Sequence, residues 1–158
     1  MMTTHPPISL DPRAHLGPDT TVWTFATVEA HVVTGARCVI GSCAWVGSHT
    51  VIGDDVRIQH GAFLCRGSDI GHRVFIGPNA TLTDDRYPIV NNPHYTANPP
   101  IIEDDVAIGA GAVICPGVRV CRGTTVGAGA VVTQDTTEYS TVVGIPAREL
   151  AHNPKERV

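Results

Sequence analysis

The sequence predicts an all-β parallel solenoid, and three regularities in its spacing lead to that prediction. An aliphatic residue recurs at every sixth position from Leu10 to Leu82, with Thr34 as the exception, and again from Ile102 to Val132. Up to Ile76, and again from Ile102, the residue four positions after each aliphatic is never larger than valine. The residue directly after the aliphatic is often glycine, which suits a backbone that turns sharply or takes a positive φ. Helices and ordinary strands repeat about every 3.6 and every 2 residues, so neither explains this period. One large and one small inward residue per repeat indicate a short strand and a corner, and three of these would close a triangular coil of about 18 residues.

The elements follow one another along a single predicted domain, residues 1–158. Coils occupy about residues 10–83 and 101–136 and number about six. The segment 84–100 leaves the period and is rich in proline and asparagine, so it predicts a rigid loop outside the solenoid. Its charged start, Asp84-Asp85-Arg86-Tyr87, favours a functional loop over a neutral insertion. The period ends after residue 136, and the segment 137–158 predicts a closing strand and a short helix that cover the last coil.

Composition and charge narrow the function classes. Charged residues make up 16% of the chain and the formal net charge is −4, without basic runs, which argues against a nucleic-acid or anionic-membrane surface. No apolar run reaches the ~18 residues of a membrane helix, and the N-terminus lacks the layout of a signal peptide. The 5 cysteines stand singly, without a CxxC pair, which indicates reduced thiols and a cytoplasmic protein.

The hexads have the form aliphatic–Gly–x–x–small–x and end in "VGAGAVVTQDTTEYSTVVGIPARELA". In both respects the chain resembles the hexapeptide-repeat acyltransferases. This resemblance covers about residues 10–150 and implies a left-handed parallel β-helix that assembles as a homotrimer with sites between subunits.

Three segments carry a closer resemblance: "IQHGAFL", "VFIGPNATLTDDRYP" and "IIEDDVAIGAGAVICPGVRV". They are similar to the branch of the family that N-acetylates nucleotide-linked 3-amino sugars. The resemblance implies acetyl-CoA as co-substrate and a dTDP- or UDP-linked sugar used in surface glycan (lipopolysaccharide) biosynthesis.

The chain departs from this branch at positions that leave the substrate open. His60 and Asp84 replace asparagines of the family's "IQNN" and "FTND" segments, and Ile89 replaces the arginine after "YP". Threonines stand where the family's "WHFxH" segment has its histidines, at Thr24 and Thr27.

Two residues are the catalytic candidates. Amine acylation by a thioester needs a positioned free amine and a stabilised oxyanion. We expect Asp84 to orient the amine and accept its hydrogen, directly or through water; the alternative is that Asp84 caps the first turn of the loop. His60 is a candidate second base or phosphate partner, within the chain or across a trimer interface, and the alternative is an exposed corner histidine.

Five further residues are assigned to the sugar nucleotide. Arg66, one coil before Asp84, should stack under it and form an ion pair. Gln59 and Asp85 match the family's segments. Arg86 and Tyr87 are candidates for the pyrophosphate and the sugar, the first through bidentate hydrogen bonds, although both also fit an ordinary charged surface.

Acetyl-CoA is assigned to the late coils. Small corners in "IGAGAV" and "VGAGAV" leave backbone groups approachable for the pantetheine arm, at Gly109, Ala110, Gly127 and Ala128. Arg119 and Arg148 are candidates for the phosphates of the co-substrate.

Three other interpretations stay open. A sister branch acetylates hydroxyls of sugars and antibiotics with a histidine in a "TATHP"-like segment; here "TDDRYP" has none, and His94 would serve only if the loop folded back. A non-catalytic structural solenoid would explain the missing "WHFxH" histidines. A γ-type carbonic anhydrase shares the solenoid and binds zinc through histidines, two of them five apart, a spacing that no pair here has. His31 and His49 should stack but lack a third ligand, so no metal is expected.

Overall fold

The computed structural model describes residues 2–4 and 7–152, and it confirms the parallel β-solenoid. All strands have 2 residues except the last two. In chain order they are β1 (Thr3–Thr4), β2 (Ser9–Leu10), β3 (Thr21–Val22), β4 (Thr27–Val28), β5 (Val33–Thr34), β6 (Val39–Ile40), β7 (Trp45–Val46), β8 (Val51–Ile52), β9 (Arg57–Ile58), β10 (Phe63–Leu64), β11 (Asp69–Ile70), β12 (Phe75–Ile76), β13 (Thr81–Leu82), β14 (Ile101–Ile102), β15 (Ala107–Ile108), β16 (Val113–Ile114), β17 (Arg119–Val120), β18 (Thr125–Val126), β19 (Val131–Val132), β20 (Ser140–Val143) and β21 (Arg148–His152).

The strands stack into three faces. Face A contains β1, β3, β6, β9, β12, β15, β18, β20 and β21; face B contains β2, β4, β7, β10, β13, β16 and β19; face C contains β5, β8, β11, β14 and β17. Face B therefore marks about seven turns, whereas about six were predicted. The prediction counted coils from Leu10, which lies in β2, whereas the structure has one further strand, β1, before it.

The corners between strands stack into three edges. The A–B edge comprises residues 23–26, 41–44, 59–62, 77–80, 109–112 and 127–130. The B–C edge comprises residues 29–32, 47–50, 65–68, 83–100 and 115–118. The C–A edge comprises residues 17–20, 35–38, 53–56, 71–74, 103–106 and 121–124.

The inward aliphatic residues form one continuous core, in which Ile40, Ile58 and Ile76 are at most 1% exposed. The exception in the period, Thr34, is also buried. Its hydroxyl accepts a hydrogen bond from the backbone N–H of Gly17 (3.1 Å) and donates one to the carbonyl of Gly35 (3.0 Å). A polar side chain is tolerated there because its hydrogen-bonding groups are satisfied.

The corner glycines were expected to allow a sharp turn or a positive φ, and the structure gives a different reason for Gly77. Gly77, directly after an inward aliphatic, is not in the left-handed region, which falls two residues later at Asn79 (φ 56°). A Cβ at Gly77 would lie 2.7 Å from the backbone nitrogen of Ala110 in the next coil. Glycine is therefore required because successive corners stack too closely for a side chain.

The C–A edge carries a series of ion pairs between successive coils. Arg37 donates two hydrogen bonds to the carboxylate of Asp55 (2.7 and 2.6 Å). Arg73 does the same to Asp105 (2.6 and 3.0 Å), which Arg122 also approaches at 3.4 Å. The hydrogen bonds from Arg73 hold the pKa of Asp105 below its usual value.

The predicted C-terminal helix is wrong over the described residues. Gly144 (φ 94°) lies in a turn after β20, and the chain returns as β21, antiparallel to β20. The last strand of face A offers unpaired backbone groups, and a returning strand satisfies them where a helix would not. Residues 153–158 lie outside the described part. Within residues 2–4 and 7–152 there is no helix that could cross a membrane.

Candidate functional site

The loop between β13 and β14 is closed at its base by Asp84. The carbonyl of Asp84 accepts a hydrogen bond from the N–H of Asn98 (2.9 Å), and the carbonyl of Asn98 accepts one from Gly117 (2.7 Å). The hydroxyl of Tyr95 donates to Oδ2 of Asp84 at 2.6 Å. No donor among the described residues is hydrogen-bonded to Oδ1, so one carboxylate oxygen is available to a ligand.

The fold of the loop comes from side chains that cap its turns. Oδ1 of Asp85 accepts a hydrogen bond from the N–H of Tyr87 (2.9 Å), and Oδ1 of Asn92 accepts one from His94 (3.0 Å). The turn-capping role considered for Asp84 therefore belongs to Asp85. These turns fold the chain back on itself and border an open cavity of about 310 Å³, whose lining includes Asp85, Arg86, Tyr87 and His94.

Arg66 lies one coil below Asp84, because Leu64 pairs with Leu82 in the register of β10 and β13. The expected ion pair is not formed: the described residues contain no contact within 4.0 Å between the Arg66 guanidinium and the Asp84 carboxylate. The phenol of Tyr95 occupies the carboxylate instead, and this hydrogen bond raises the pKa of Tyr95 to about 12. Arg66 lies close enough to oppose that rise through its positive charge.

A cysteine next to Arg66 is unsuited to carry an acyl group. Burial raises the pKa of the Cys65 thiol to about 11, and its sulfur lies 3.3 Å from the hydroxyl of Ser68. The thiolate is the nucleophile in cysteine chemistry, so a buried, protonated thiol is inert at neutral pH. Cys65 is therefore not a candidate carrier for a covalent acyl intermediate.

His60 lies on the A–B edge and is held in a structural contact. Its Nδ1 accepts a hydrogen bond from the N–H of Ser42 at 3.0 Å. His72 makes the same contact with the N–H of Asp54 (2.9 Å) at the C–A edge, so the arrangement recurs wherever a histidine occupies this corner position. Gln59, beside His60, lines a separate cavity of about 260 Å³ together with Trp23.

The upper A–B edge has open backbone donors at the predicted cofactor corners. The N–H groups of Gly109 and Gly127 donate to carbonyls of the next turn of chain (2.8 Å each), so these two are not approachable. The N–H groups of Ala110 and Ala128 have no acceptor among the described residues. At other corners a polar side chain of the next coil accepts this N–H, as His60 does for Ser42. The next coil has Ala128 above Ala110, and the turn at Gly144 lies above Ala128. Of the four corner N–H groups, those of the two alanines are thus without a hydrogen-bond acceptor among the described residues.

The two arginines predicted for the phosphates lie apart. Arg119 is on face C, where it donates to Glu103 at 2.8 Å, and this face is opposite the A–B edge of the triangular coil. Arg148 is on β21 opposite Val143, whose side chain covers Gly127. Only Arg148 is therefore near the alanine corners in one chain.

Apart from Arg119 and Arg148, the predicted site residues fall on two edges of the solenoid. Arg66 and the loop with Asp84 belong to the B–C edge, whereas Gln59, His60 and the alanine corners belong to the A–B edge. One side of a coil separates these edges, roughly 15–20 Å at about 3.3 Å per residue. His60 and Asp84 thus do not meet within one chain.

Tyr95, the side chain hydrogen-bonded to the Asp84 carboxylate, is a functional candidate that the spacing of the sequence does not reveal. The loop lacks the six-residue repeat, so spacing does not predict where its residues lie relative to the coils. The usable signal was composition: a tyrosine between two turn-forming segments, "NNP" and "ANPP", has a fixed position in a folded-back loop.

Metal binding has no support in the described residues. Within residues 2–4 and 7–152 there is no group of three or more histidine, cysteine, aspartate or glutamate side chains arranged around a metal position. The expected stacking of His31 on His49 is confirmed, with ring centroids 4.8 Å apart. Stacked rings direct their nitrogens sideways and cannot converge on one ion.

The chain matches a known protein family on both sides of the loop. Residues 49–84 and 99–134 match the family model for the bacterial transferase hexapeptide, six repeats. A segment of 57 residues, 36% of this chain, is 39% identical to the bifunctional protein GlmU of Mycobacterium ulcerans (strain Agy99) and spans 12% of that protein.

Solved structures share the fold over nearly all of the chain. The acetyltransferase domain of PglB from Neisseria gonorrhoeae FA1090, in complex with acetyl coenzyme A, superposes with a TM-score of 0.62 and 25% identity. The match covers 94% of this chain and 57% of that chain, so this protein spans little more than half of the domain. A maltose O-acetyltransferase from Clostridium difficile 630 gives a TM-score of 0.57 at 20% identity, over 98% of this chain and 68% of that one.

Proposed function

We propose that this protein, which belongs to the bacterial transferase hexapeptide family, is an acetyl-CoA-dependent N-acetyltransferase. Its acceptor is the amine of a 3-amino sugar linked to dTDP or UDP, and its product serves surface glycan biosynthesis. The observation that carries the proposal is the loop on the B–C edge. There Oδ1 of Asp84 accepts no hydrogen bond from the described residues, and Arg86 and Tyr87, which follow closely in the chain, line a cavity.

Acyl transfer to an amine requires of the protein mainly that it position the two reactants. The amine nitrogen attacks the thioester carbonyl, the carbon–sulfur bond breaks, and the amine's proton ends on the departing CoA sulfur. A sugar amine with a pKa of about 8 is already partly neutral at pH 7. A fixed acceptor that binds an amine hydrogen, and so directs the nitrogen lone pair at the thioester, therefore supplies much of the acceleration. Oδ1 of Asp84 is that acceptor, and Arg86 suits the pyrophosphate through paired hydrogen bonds.

The alanine corners suit the pantetheine arm of the co-substrate. Its amides offer carbonyl oxygens, and the unpartnered N–H groups of Ala110 and Ala128 are donors at the spacing of successive coils, about 4.8 Å. Arg148 near the same edge suits a phosphate of the co-substrate. The likeness to a PglB domain that holds acetyl coenzyme A supports the same donor for this chain.

The site is proposed to lie between subunits of a homotrimer. The acceptor loop and the donor corners belong to different edges, so a second copy has to bring its A–B edge to the loop of the first. Face B supports such contact because its outward residues carry no charge: Ser9, Thr27, Trp45, Phe63, Thr81, Val113 and Val131. Trp45 and Phe63 pair side by side and are each more than 40% exposed, which favours burial against another chain.

We place this activity in the cytoplasm, where acetyl-CoA is made and nucleotide sugars are modified. The five cysteines are all free thiols, which suits a reducing compartment.

The test is a thiol-release assay with purified protein, acetyl-CoA and a panel of dTDP- and UDP-linked 3-amino and 4-amino sugars. The matched control is each sugar with a hydroxyl in place of the amine. We expect turnover on one 3-amino sugar and none on its hydroxyl counterpart. Absence of turnover on every amine would refute the proposal. In a thermal-shift assay, absence of stabilisation by millimolar CoA would indicate a non-catalytic structural solenoid instead.

A sugar O-acetyltransferase is the second candidate, because one observation favours it. The loop folds back, so His94 lines the same cavity as Asp85, Arg86 and Tyr87. Acylation of a hydroxyl needs a general base, and histidine is the usual one. Turnover of hydroxyl acceptors that is lost in His94→Ala and kept in Asp84→Asn would establish this candidate over the first.

A further inference from the structure

Tyr95 makes the shortest contact to the acceptor carboxylate. Its phenol donates to Oδ2 of Asp84 at 2.6 Å, which is within the range of strong hydrogen bonds to a charged oxygen. Tyr95 lies at the far end of the loop, so local chain geometry does not force the contact. Two turns, closed by the N–H of Asn92 on Ile89 and of Tyr95 on Asn92, bring it back.

The contact fixes the direction of the other carboxylate oxygen. A carboxylate is planar, so once Oδ2 is held by a phenol and the backbone of Asp84 is held by Asn98, Oδ1 has one remaining position. Tyr95 is half-exposed and lines the loop cavity, so its hydrogen bond joins a cavity-lining side chain to Asp84. Oδ1, which accepts no hydrogen bond from the described residues, is left as the acceptor for a ligand.

From this geometry we propose that Tyr95 is a positioning residue: its hydroxyl holds Oδ2 of Asp84 so that Oδ1 receives the substrate's amine. The inference rests on the proposed function, since it assigns a role within that reaction. Tyr95 itself touches neither the amine nor the thioester. It acts through Asp84, and the raised pKa of its phenol keeps it protonated, and hence a donor, throughout the physiological range.

The kinetic experiment compares Tyr95→Phe with the wild-type protein. We expect kcat to fall about tenfold while KM for the sugar nucleotide and for acetyl-CoA changes less than about twofold, because orientation is lost and binding is kept. Tyr139→Phe, which removes a phenol at the far C–A corner, is the matched control and should keep the wild-type kcat. A raised KM with unchanged kcat would overturn the proposal, because it would indicate only a loop-closing role.

A double-mutant cycle tests whether Tyr95 acts through Asp84. In an Asp84→Ala background, Tyr95→Phe should change kcat by less than about twofold, because the carboxylate to be positioned is gone. A tenfold loss in both backgrounds would overturn the positioning role. Thermal melting of each variant confirms that the solenoid is folded.

A readout that needs no substrate tests the contact itself. During a pH titration, the phenolate absorbance of the wild-type protein minus that of Tyr95→Phe gives the ionisation of Tyr95. At pH 11 this tyrosine should be mostly protonated in the wild type and mostly ionised in Asp84→Ala, where its pKa returns toward about 10. Equal ionisation in both would refute the contact. If the wild-type protein turns over no amino sugar, the proposed function fails and the positioning role fails with it; turnover with an unaffected Tyr95→Phe refutes the role alone.

Discussion

Replacement of Asp84 by asparagine separates positioning from proton abstraction. Asparagine keeps the shape of the side chain and one acceptor oxygen but cannot take a proton. In the structure, Oδ2 receives the Tyr95 hydroxyl at 2.6 Å and Oδ1 is available. With the amide turned so that its oxygen occupies the Oδ1 position, its NH₂ group donates to the Tyr95 oxygen, which accepts by rotating its own hydrogen away.

Both contacts therefore survive in the variant, and only their charge is lost. A hydrogen bond to a charged group contributes about 1.5–3 kcal/mol and a neutral one about 0.5–1.5 kcal/mol, so the difference is about 1–1.5 kcal/mol. At about 1.36 kcal/mol per factor of ten, the rate should fall no more than about tenfold.

The assay is thiol release at saturating acetyl-CoA, with thermal melting to show that Asp84→Asn is folded. Asp84→Ala is the contrast, since it removes both acceptor oxygens and should lose at least about a hundredfold. A loss of several hundredfold in Asp84→Asn would refute the reasoning, because it would make Asp84 a true base.

Three further changes test other parts of the structure. Ala128→Pro removes one backbone N–H donor, and the fold should tolerate it because Pro78 occupies the equivalent corner position on the same edge. KM for acetyl-CoA should rise about fivefold with kcat unchanged. An unchanged KM would exclude the alanine corners as the acetyl-CoA site. Trp45→Glu places a charge on face B, so sedimentation should show monomers where the wild type is trimeric, and a persisting trimer would exclude face B as the interface. Asp105→Asn removes an acceptor of Arg73 and should reduce the free energy of unfolding by about 0.5–1 kcal/mol, since the pair is partly exposed. Because the folded-state pKa of Asp105 is lowered, this contribution is present above about pH 4 and is lost as pH falls further, so chemical denaturation of the two proteins should converge in acid.

The solenoid was predictable because its burial depends on spacing alone. Each inward aliphatic contacts equivalents one coil away, so a period in the sequence becomes a period in space. The recurrent glycine after each aliphatic is visible in the sequence, but the close approach that requires it at Gly77 is not. The spacing of neighbouring coils, which excludes a Cβ there, is a property of two segments distant in sequence.

The site was harder to predict because its contacts follow no period. His60 was a candidate because it lies in a family segment, yet its Nδ1 accepts a hydrogen bond from the N–H of Ser42. Tyr95 did not stand out, because its approach to Asp84 depends on turns capped by Asp85 and Asn92. The C-terminal hairpin likewise depends on the unpaired groups of β20, which the helix-like segment "ARELA" does not reveal.

The closure of the loop at its base has an evolutionary consequence. Asp84, Asn98 and Gly117 join the two ends of the excursion to the coil, so the chain departs and returns at almost the same point. A segment attached in this way can be lengthened, exchanged or excised without disturbing the coils above and below it. Selection for a new acceptor can therefore act on the excursion alone, while the stacked coils, which carry the stability, stay unchanged.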